Sequence, residues 1–170
     1  LVGSEMCIRD RNGVVRPINN PIAERNALPL RHKIMPEYFK EAGYQTALSG
    51  KWHLGMFSDE YLPGNRGFDY TYGHLGGGID YFEHTLSGRL DWHRNAEVLY
   101  EDGYSTTLIA DEAVRIIKNR DKEKPLFLYV AFNAPHTPIQ AEVSQIEKLK
   151  HINDKSERLY AANILSLIHI

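Results

Sequence analysis

The run Pro125-Leu126-Phe127-Leu128-Tyr129-Val130-Ala131-Phe132 limits the possible folds more than any other stretch of the chain. It is continuously apolar or aromatic, without polar alternation, and too short for a core helix. It predicts a strand buried on both faces, which needs a sheet with helices packed against it. The following Asn133-Ala134-Pro135-His136-Thr137-Pro138 ends the strand, because proline cannot continue a ladder. His136 is therefore expected at a strand end.

A second unit lies upstream. Pro36 suits a first helical turn, and Glu37 falls near the positive end of the helix dipole. Tyr38, Phe39 and Ala42 can share a face, and Gly43 is a natural stop. Tyr44-Gln45-Thr46-Ala47-Leu48 then reads as a short strand ending at Gly50. Helix, tight turn, strand and Gly-bounded loop make an α/β unit, and in open α/β sheets ligands sit beyond the carboxyl ends of the strands. Gly50-Lys51-Trp52-His53-Leu54-Gly55 falls there. It sets a cation and an imidazole two residues apart between glycines, a compact way to present charge to an anion. Trp52 is expected to pack beneath it.

The rest of the chain is less periodic. Asn12 to Leu30 reads as an irregular surface segment. Phe57 to Asn95 is rich in Gly, Asp and aromatics, and predicts a long functional loop whose body is Tyr70, Tyr72, Tyr81 and Phe82. His74, His84 and His93 lack metal-ligand spacing; they could touch substrate, but solvated loop residues are the favoured reading. Gly76-Gly77-Gly78 lacks the flanks of a phosphate loop and reads as flexible. Asp80 suits either a sugar hydroxyl or the capping of a turn. Ser105 is the expected N-cap of a helix with Leu108, Ile109, Ala113, Ile116 and Ile117 inward, and Asp111 and Glu112 on the wet side. Lys122 to Lys124 forms a solvated turn. Glu142–His151 and Ser156–Ile164 are expected helices, with Lys148, Lys150 and Lys155 exposed.

A length of 170 residues suits one domain with a real core. A net charge of -2 gives no push toward nucleic acid or an acidic membrane surface. No apolar run approaches a bilayer-spanning length.

The two ends differ from the middle. One DNA segment, read in opposite orientations, can encode both Met6-Cys7-Ile8-Arg9-Asp10 and Leu165-Ser166-Leu167-Ile168-His169-Ile170. Together they resemble a translated transposase-type sequencing adapter. Segments 1–11 and 165–170 are therefore expected to be non-native, flanking a native segment 12–164 that is open at both ends. Cys7, the single cysteine, then supports no disulfide or compartment argument.

Lys51 offers three donors on a point charge, suited to a tetrahedral oxyanion. His53 and His136 can donate, accept or relay a proton near neutral pH. All three follow predicted strands and can converge, which suits hydrolysis or transfer of a charged ester. Plain solvated loop residues are the competing reading.

Glu41-Ala42-Gly43-Tyr44-Gln45-Thr46-Ala47-Leu48-Ser49-Gly50-Lys51-Trp52-His53-Leu54-Gly55 resembles the second signature of the sulfatase family. Gly67-Phe68-Asp69 follows at the family's usual short distance. Lys124 to Tyr129 leading into Ala134-Pro135-His136-Thr137-Pro138 resembles its later strand and histidine loop. Asp80-Tyr81 and Gly103-Tyr104-Ser105-Thr106 also fit, particularly the arylsulfatase B-like branch. The resemblance implies an alkaline phosphatase-like α/β sandwich with a mixed central sheet between helices, incomplete in this chain. It implies hydrolysis of a sulfate ester on a small molecule or carbohydrate, by a formylglycine nucleophile and a divalent cation, usually calcium. It carries sulfate binding to Lys51, assistance to the nucleophile to His53, and protonation of the leaving alcohol to His136. Asp80 becomes a substrate contact beside Lys51 and His136. Cys7-Ile8-Arg9-Asp10-Arg11 lacks the Pro and Ser of the family's nucleophile motif and lies too close to Lys51, so it is rejected as the nucleophile. Nucleophile and metal ligands are expected outside this chain, leaving it inactive alone. The resemblance suggests export, to a periplasm or lysosome, without fixing a compartment. A phosphoester or phosphonate ester hydrolase of the same superfamily, and a non-catalytic binder of sulfated glycans, are the alternatives.

Overall fold

The computed structural model describes residues 26–168. The expectations for residues 1–25 lie outside that range. Helix α1 (Met35–Glu41) leads into strand β1 (Gln45–Lys51). Strand β2 (Tyr70–His74) and the short strands β3 (Thr85–Leu86), β4 (Arg89–Leu90), β5 (His93–Arg94) and β6 (Glu97–Val98) follow. Helix α2 (Ser105–Asn119), strand β7 (Leu126–Ala131) and helices α3 (Val143–Lys148) and α4 (Lys155–Ile168) complete the order. Five strands form one mixed sheet in the order β6-β5-β2-β1-β7, and β3 pairs with β4 separately. β1 lies parallel to both β2 and β7, while β5 runs antiparallel to β2 and to β6.

The α1–β1 unit forms as its residues dictate. Pro36 opens the first turn, Glu37 accepts from the Ile34 N–H at 2.7 Å, and Gly43 takes a φ of 85° after the helix. Stacking of Phe39 on Phe127, with ring centroids 4.3 Å apart, seats α1 on one face of the sheet. Leu48, Trp52, Phe68 and Leu75 form the core of that face. On the other face Tyr72, Ile79, Trp92 and Ile109 pack under α2. The buried Ser49 hydroxyl donates to the Ile109 carbonyl at 2.8 Å and ties helix to sheet. Sheet between helices is thus the observed architecture, as expected.

β1, β2 and β7 close tightly at their carboxyl ends. A Cβ on Gly50 would lie 1.9 Å from the Ala131 carbonyl oxygen, and one on Gly73 would lie 2.3 Å from that of Gly50. Both glycines have positive φ, so backbone and space alike demand glycine.

Several expectations are corrected. β7 is a strand, but it lies at the sheet edge among the described residues, only half-buried, with Tyr129 49% exposed. The 57–95 region is not one loop: it contains β2, at the centre of the sheet, because Tyr72 and Gly73 fit between β1 and β5. Phe82 stays exposed rather than joining the packed body. Ser105 is the first residue of α2 rather than its cap; its N–H donates to the Tyr81 carbonyl at 2.8 Å, which places Tyr104 at the cap. Ile117 is exposed, whereas Glu112 is only 5% exposed. Tyr70, Arg94 and Arg115 surround its carboxylate, so a charge expected in water is buried with partners. α4 continues to Ile168, with Ser166 buried and bonded to the Asn163 carbonyl at 2.6 Å.

Candidate active site

Lys51 is the last residue of β1, half-buried, opposite His74 of β2. The ladder does not stop there. The Trp52 N–H donates to the His74 carbonyl at 3.0 Å, and the His53 N–H to the Leu75 carbonyl at 3.1 Å. These two bonds hold the main chain of His53 although its side chain is exposed. His53 has a φ of 53°, a conformation histidine tolerates better than branched residues but still costs about 1 kcal/mol or more. Trp52 points under the loop, its indole N–H donating to the Gly55 and Tyr61 carbonyls at 3.0 and 2.9 Å.

His136 stands on the loop after β7. Its N–H donates to the Asn133 carbonyl at 2.9 Å, and its carbonyl accepts from the Tyr81 hydroxyl at 2.9 Å. The ring Nδ1 lies 2.7 Å from the Thr137 carbonyl oxygen. A carbonyl only accepts, so Nδ1 carries a proton and Nε2 is the nitrogen left for chemistry.

A cavity of about 550 Å³ joins these loops, lined by His53, Gly77, Gly78, Asp80, Leu86 and His136 among others. The fold therefore brings His53, His136 and Asp80 to one space. Lys51 is not on its wall, but its charge reaches His53. Burial, then the Lys51 cation, then His136 lower the His53 pKa, which favours its neutral, proton-accepting form. Burial lowers the Lys51 pKa as well, and no carboxylate among the described residues pairs with it.

Asp80 is built into a turn. One carboxylate oxygen accepts from the Phe82 and Glu83 N–H groups at 2.9 and 2.8 Å, the other from the Gln140 amide at 2.7 Å. Burial opposes ionisation, but these donors hold the carboxyl below the usual carboxylate range. Of the two roles weighed for Asp80, the turn is the one its bonds serve.

His74, His84 and His93 are not solvated; all three are buried. Trp92, itself fully buried, stacks against His84 and His74 at 4.4 and 6.4 Å. His93 bonds Asp91 at 3.0 Å, and His84 Nε2 lies 3.0 Å from the Gly103 carbonyl oxygen. The sequence signals the Asp91–His93 pair only through its two-residue spacing around a tryptophan.

The donor set suits an anion rather than a divalent cation. A lysine ammonium has no lone pair to give, and no group of three or more His, Cys, Asp or Glu among the described residues could hold a metal ion.

The Sulfatase family model matches residues 9–166. The chain belongs to the sulfatase family. Among curated relatives of this sulfatase chain, mouse Arylsulfatase J is 36% identical over 92% of the chain, and the Klebsiella aerogenes Arylsulfatase 34% identical over 79%. The chain spans 27% and 32% of their lengths. The solved structure of Ps i-CgsB in complex with k-i-k-neocarrahexaose superimposes with a TM-score of 0.74 at 32% identity, covering 88% of this chain and 37% of that one. A structure holding its substrate D-glucosamine-2-N,6-O-disulfate gives 0.59 at 27% identity, over 75% and 24% of the two chains. The mixed sheet between helices is thus part of the alkaline phosphatase-like architecture of the solved sulfatases.

Proposed function

We propose that this chain is part of a sulfuric ester hydrolase acting on a sulfated carbohydrate, in which Lys51, His53 and His136 take part directly. What carries the reading is a cation and two imidazoles at adjacent strand ends of a sulfatase-family sheet. The reaction adds water across the ester and yields an alcohol and sulfate. Lys51 supplies a fixed positive charge toward sulfate oxygens, where charge must be stabilised. Neutral His53 accepts a hydrogen bond or proton at the nucleophile. His136, tied back through Nδ1, in its imidazolium form delivers the Nε2 proton to the departing alcohol oxygen. The cavity lies in the size range of small-ligand sites, and the similar solved structures in complex with k-i-k-neocarrahexaose and with D-glucosamine-2-N,6-O-disulfate support a carbohydrate. Asp80 borders that space, and the same proposal makes it a substrate contact in addition to its part in the turn.

The finer family chemistry belongs to the same proposal: a formylglycine nucleophile and a calcium ion supplied by parts of the parent protein outside this chain. Calcium would stabilise charge on the sulfate, held by residues other than those described, which offer it no site. The isolated chain is accordingly proposed to be inactive. Export remains a proposal resting on family likeness alone.

The test is turnover by the full-length protein carrying this segment. Release of inorganic sulfate from an aryl sulfate and a sulfated oligosaccharide, lost in His136→Asn, is expected. Preference for phosphate esters would overturn the sulfatase assignment, and saturable binding of sulfated glycan without turnover would replace it by a binding function. An isolated, refolded chain that hydrolyses aryl sulfate above blank would overturn the inactivity proposal.

A further inference from the structure

Gly76-Gly77-Gly78 is not glycine for the sake of its backbone. None of the three has a φ in the left-handed region. Each instead lacks room. A Cβ on Gly77 would lie 2.6 Å from the His53 Cε1 and Nε2 atoms. One on Gly78 would lie 2.4 Å from His136 Nδ1 and 3.1 Å from the Thr137 carbonyl oxygen. One on Gly76 would lie 2.9 Å from an Asp91 carboxylate oxygen and 2.5 Å from Leu86. Two consecutive residues thus touch two imidazoles that come from loops more than eighty residues apart in sequence.

The strap is also anchored from below. Asp91 is wholly buried, and its carboxylate accepts from the Leu75 N–H at 3.0 Å and the Gly76 N–H at 2.8 Å. His93 Nε2 bonds the same carboxylate at 3.0 Å. On the far side the Asn133 amide donates to the Ile79 carbonyl at 3.0 Å, joining the strap to the His136 loop. A buried carboxylate that spends both oxygens on one short main-chain segment holds that segment in place.

We propose that Gly77 and Gly78, pinned through Asp91, form the spacer that sets the separation and orientation of His53 and His136, and so are positioning residues for the reaction. The proposal rests on the functional reading above only for what the two imidazoles do. Their placement is a separate matter. Side-chain-free main chain between two rings gives a separation that no flexible side chain can relax, and misplacement by about 1 Å can cost on the order of a hundredfold in rate.

Gly77→Ala in the full-length protein is the test. The nearest atoms to its Cβ are those at the far end of the His53 side chain, so the ring is displaced while the fold persists. We expect kcat to fall at least tenfold with KM within about twofold of the parent. The His53 ring, followed by NMR of isotope-labelled histidine, is expected to change its titration as its burial and its distances to Lys51 and His136 change. Gly64→Ala, where a Cβ meets nothing within 4 Å, should leave both readouts unchanged. Asp91→Asn cannot accept the same two N–H groups with both atoms and should also change the His53 titration. Should Asp91→Asn fail to fold, Gly77→Ala decides. An unaltered His53 titration in Gly77→Ala overturns the spacer whatever happens to kcat. If the parent turns over no ester, the sulfatase reading fails while the titration still decides the spacer.

Discussion

Five histidines of this chain fall into two regions that differ in every physical respect but residue type. At the rim, His53 and His136 are exposed and border a cavity, and the Lys51 charge acts on His53. One layer beneath, His74, His84 and His93 are buried around Trp92 and Asp91. Burial pushes the His74 pKa down to about 4 and lowers that of His84, so both are neutral fillers of the core at pH 7. The contrast is between an imidazole with a nitrogen facing open space, available to a ligand, and one whose faces are packed, serving as a polar aromatic. If that division is right, rim changes should act on turnover and layer changes on folding.

The largest effect is expected in the layer. Trp92→Ala removes a fully buried ring that stacks against two imidazoles and bonds Glu101, and should destabilise the protein by about 3–5 kcal/mol. Soluble yield and Tm of the full-length protein check this; a loss of turnover with unchanged Tm would erase the distinction. Lys51→Ala should do the reverse, lowering kcat/KM roughly 100- to 1000-fold, as loss of one charge-stabilising donor does, with Tm nearly unchanged. Steady-state kinetics beside a melt would separate the two cases.

A pH experiment sharpens the same contrast. The His74 pKa is depressed in the folded state, so its neutral form is favoured by folding. Its contribution is full above about 6.5 and is lost as pH falls toward about 4, roughly 3 kcal/mol in all. Urea melts at pH 7 and pH 5 should show the fall, and His74→Phe should flatten it. A slope retained in His74→Phe would place the acid sensitivity elsewhere. The smallest effect concerns Glu112. Glu112→Gln weakens its bonds to Arg115, Arg94 and Tyr70 and should cost about 1.5–3 kcal/mol, less than Trp92→Ala and without change in KM.

The rim was legible in the sequence and the layer was not, for a physical reason. α1, β1, β7 and the Lys51, His53 and His136 loops are encoded by local pattern: Pro36 and Gly43 at helix ends, a continuous apolar run, prolines after it. The layer depends on partners distant along the chain. His74 reads as solvated until Trp92 is folded over it, and Glu112 reads as wet until Tyr70, Arg94 and Arg115 converge on it. β2 was hidden for the same reason. Tyr70 to His74 contains a glycine and lies among loop-like residues, and only register against Gly50 and Lys51 makes it a central strand. The glycine strap misled most: glycines placed for lack of room look, in one dimension, like glycines placed for freedom.

The Thr85–Leu90 hairpin borders the cavity yet shares no ladder with the five-stranded sheet. Its strands pair with each other, and Lys51, His53 and His136 hang from other elements. It is nonetheless fastened to the molecule by other means: Leu86 and Leu90 pack on the core of Tyr72, Ile79, Trp92 and Ile109, and the Thr85 carbonyl accepts from the Asp80 N–H at 2.9 Å. Leu86 also closes over Gly76, so a change in this wall of the cavity is passed to the glycine strap, and wall and rim are not independent parts.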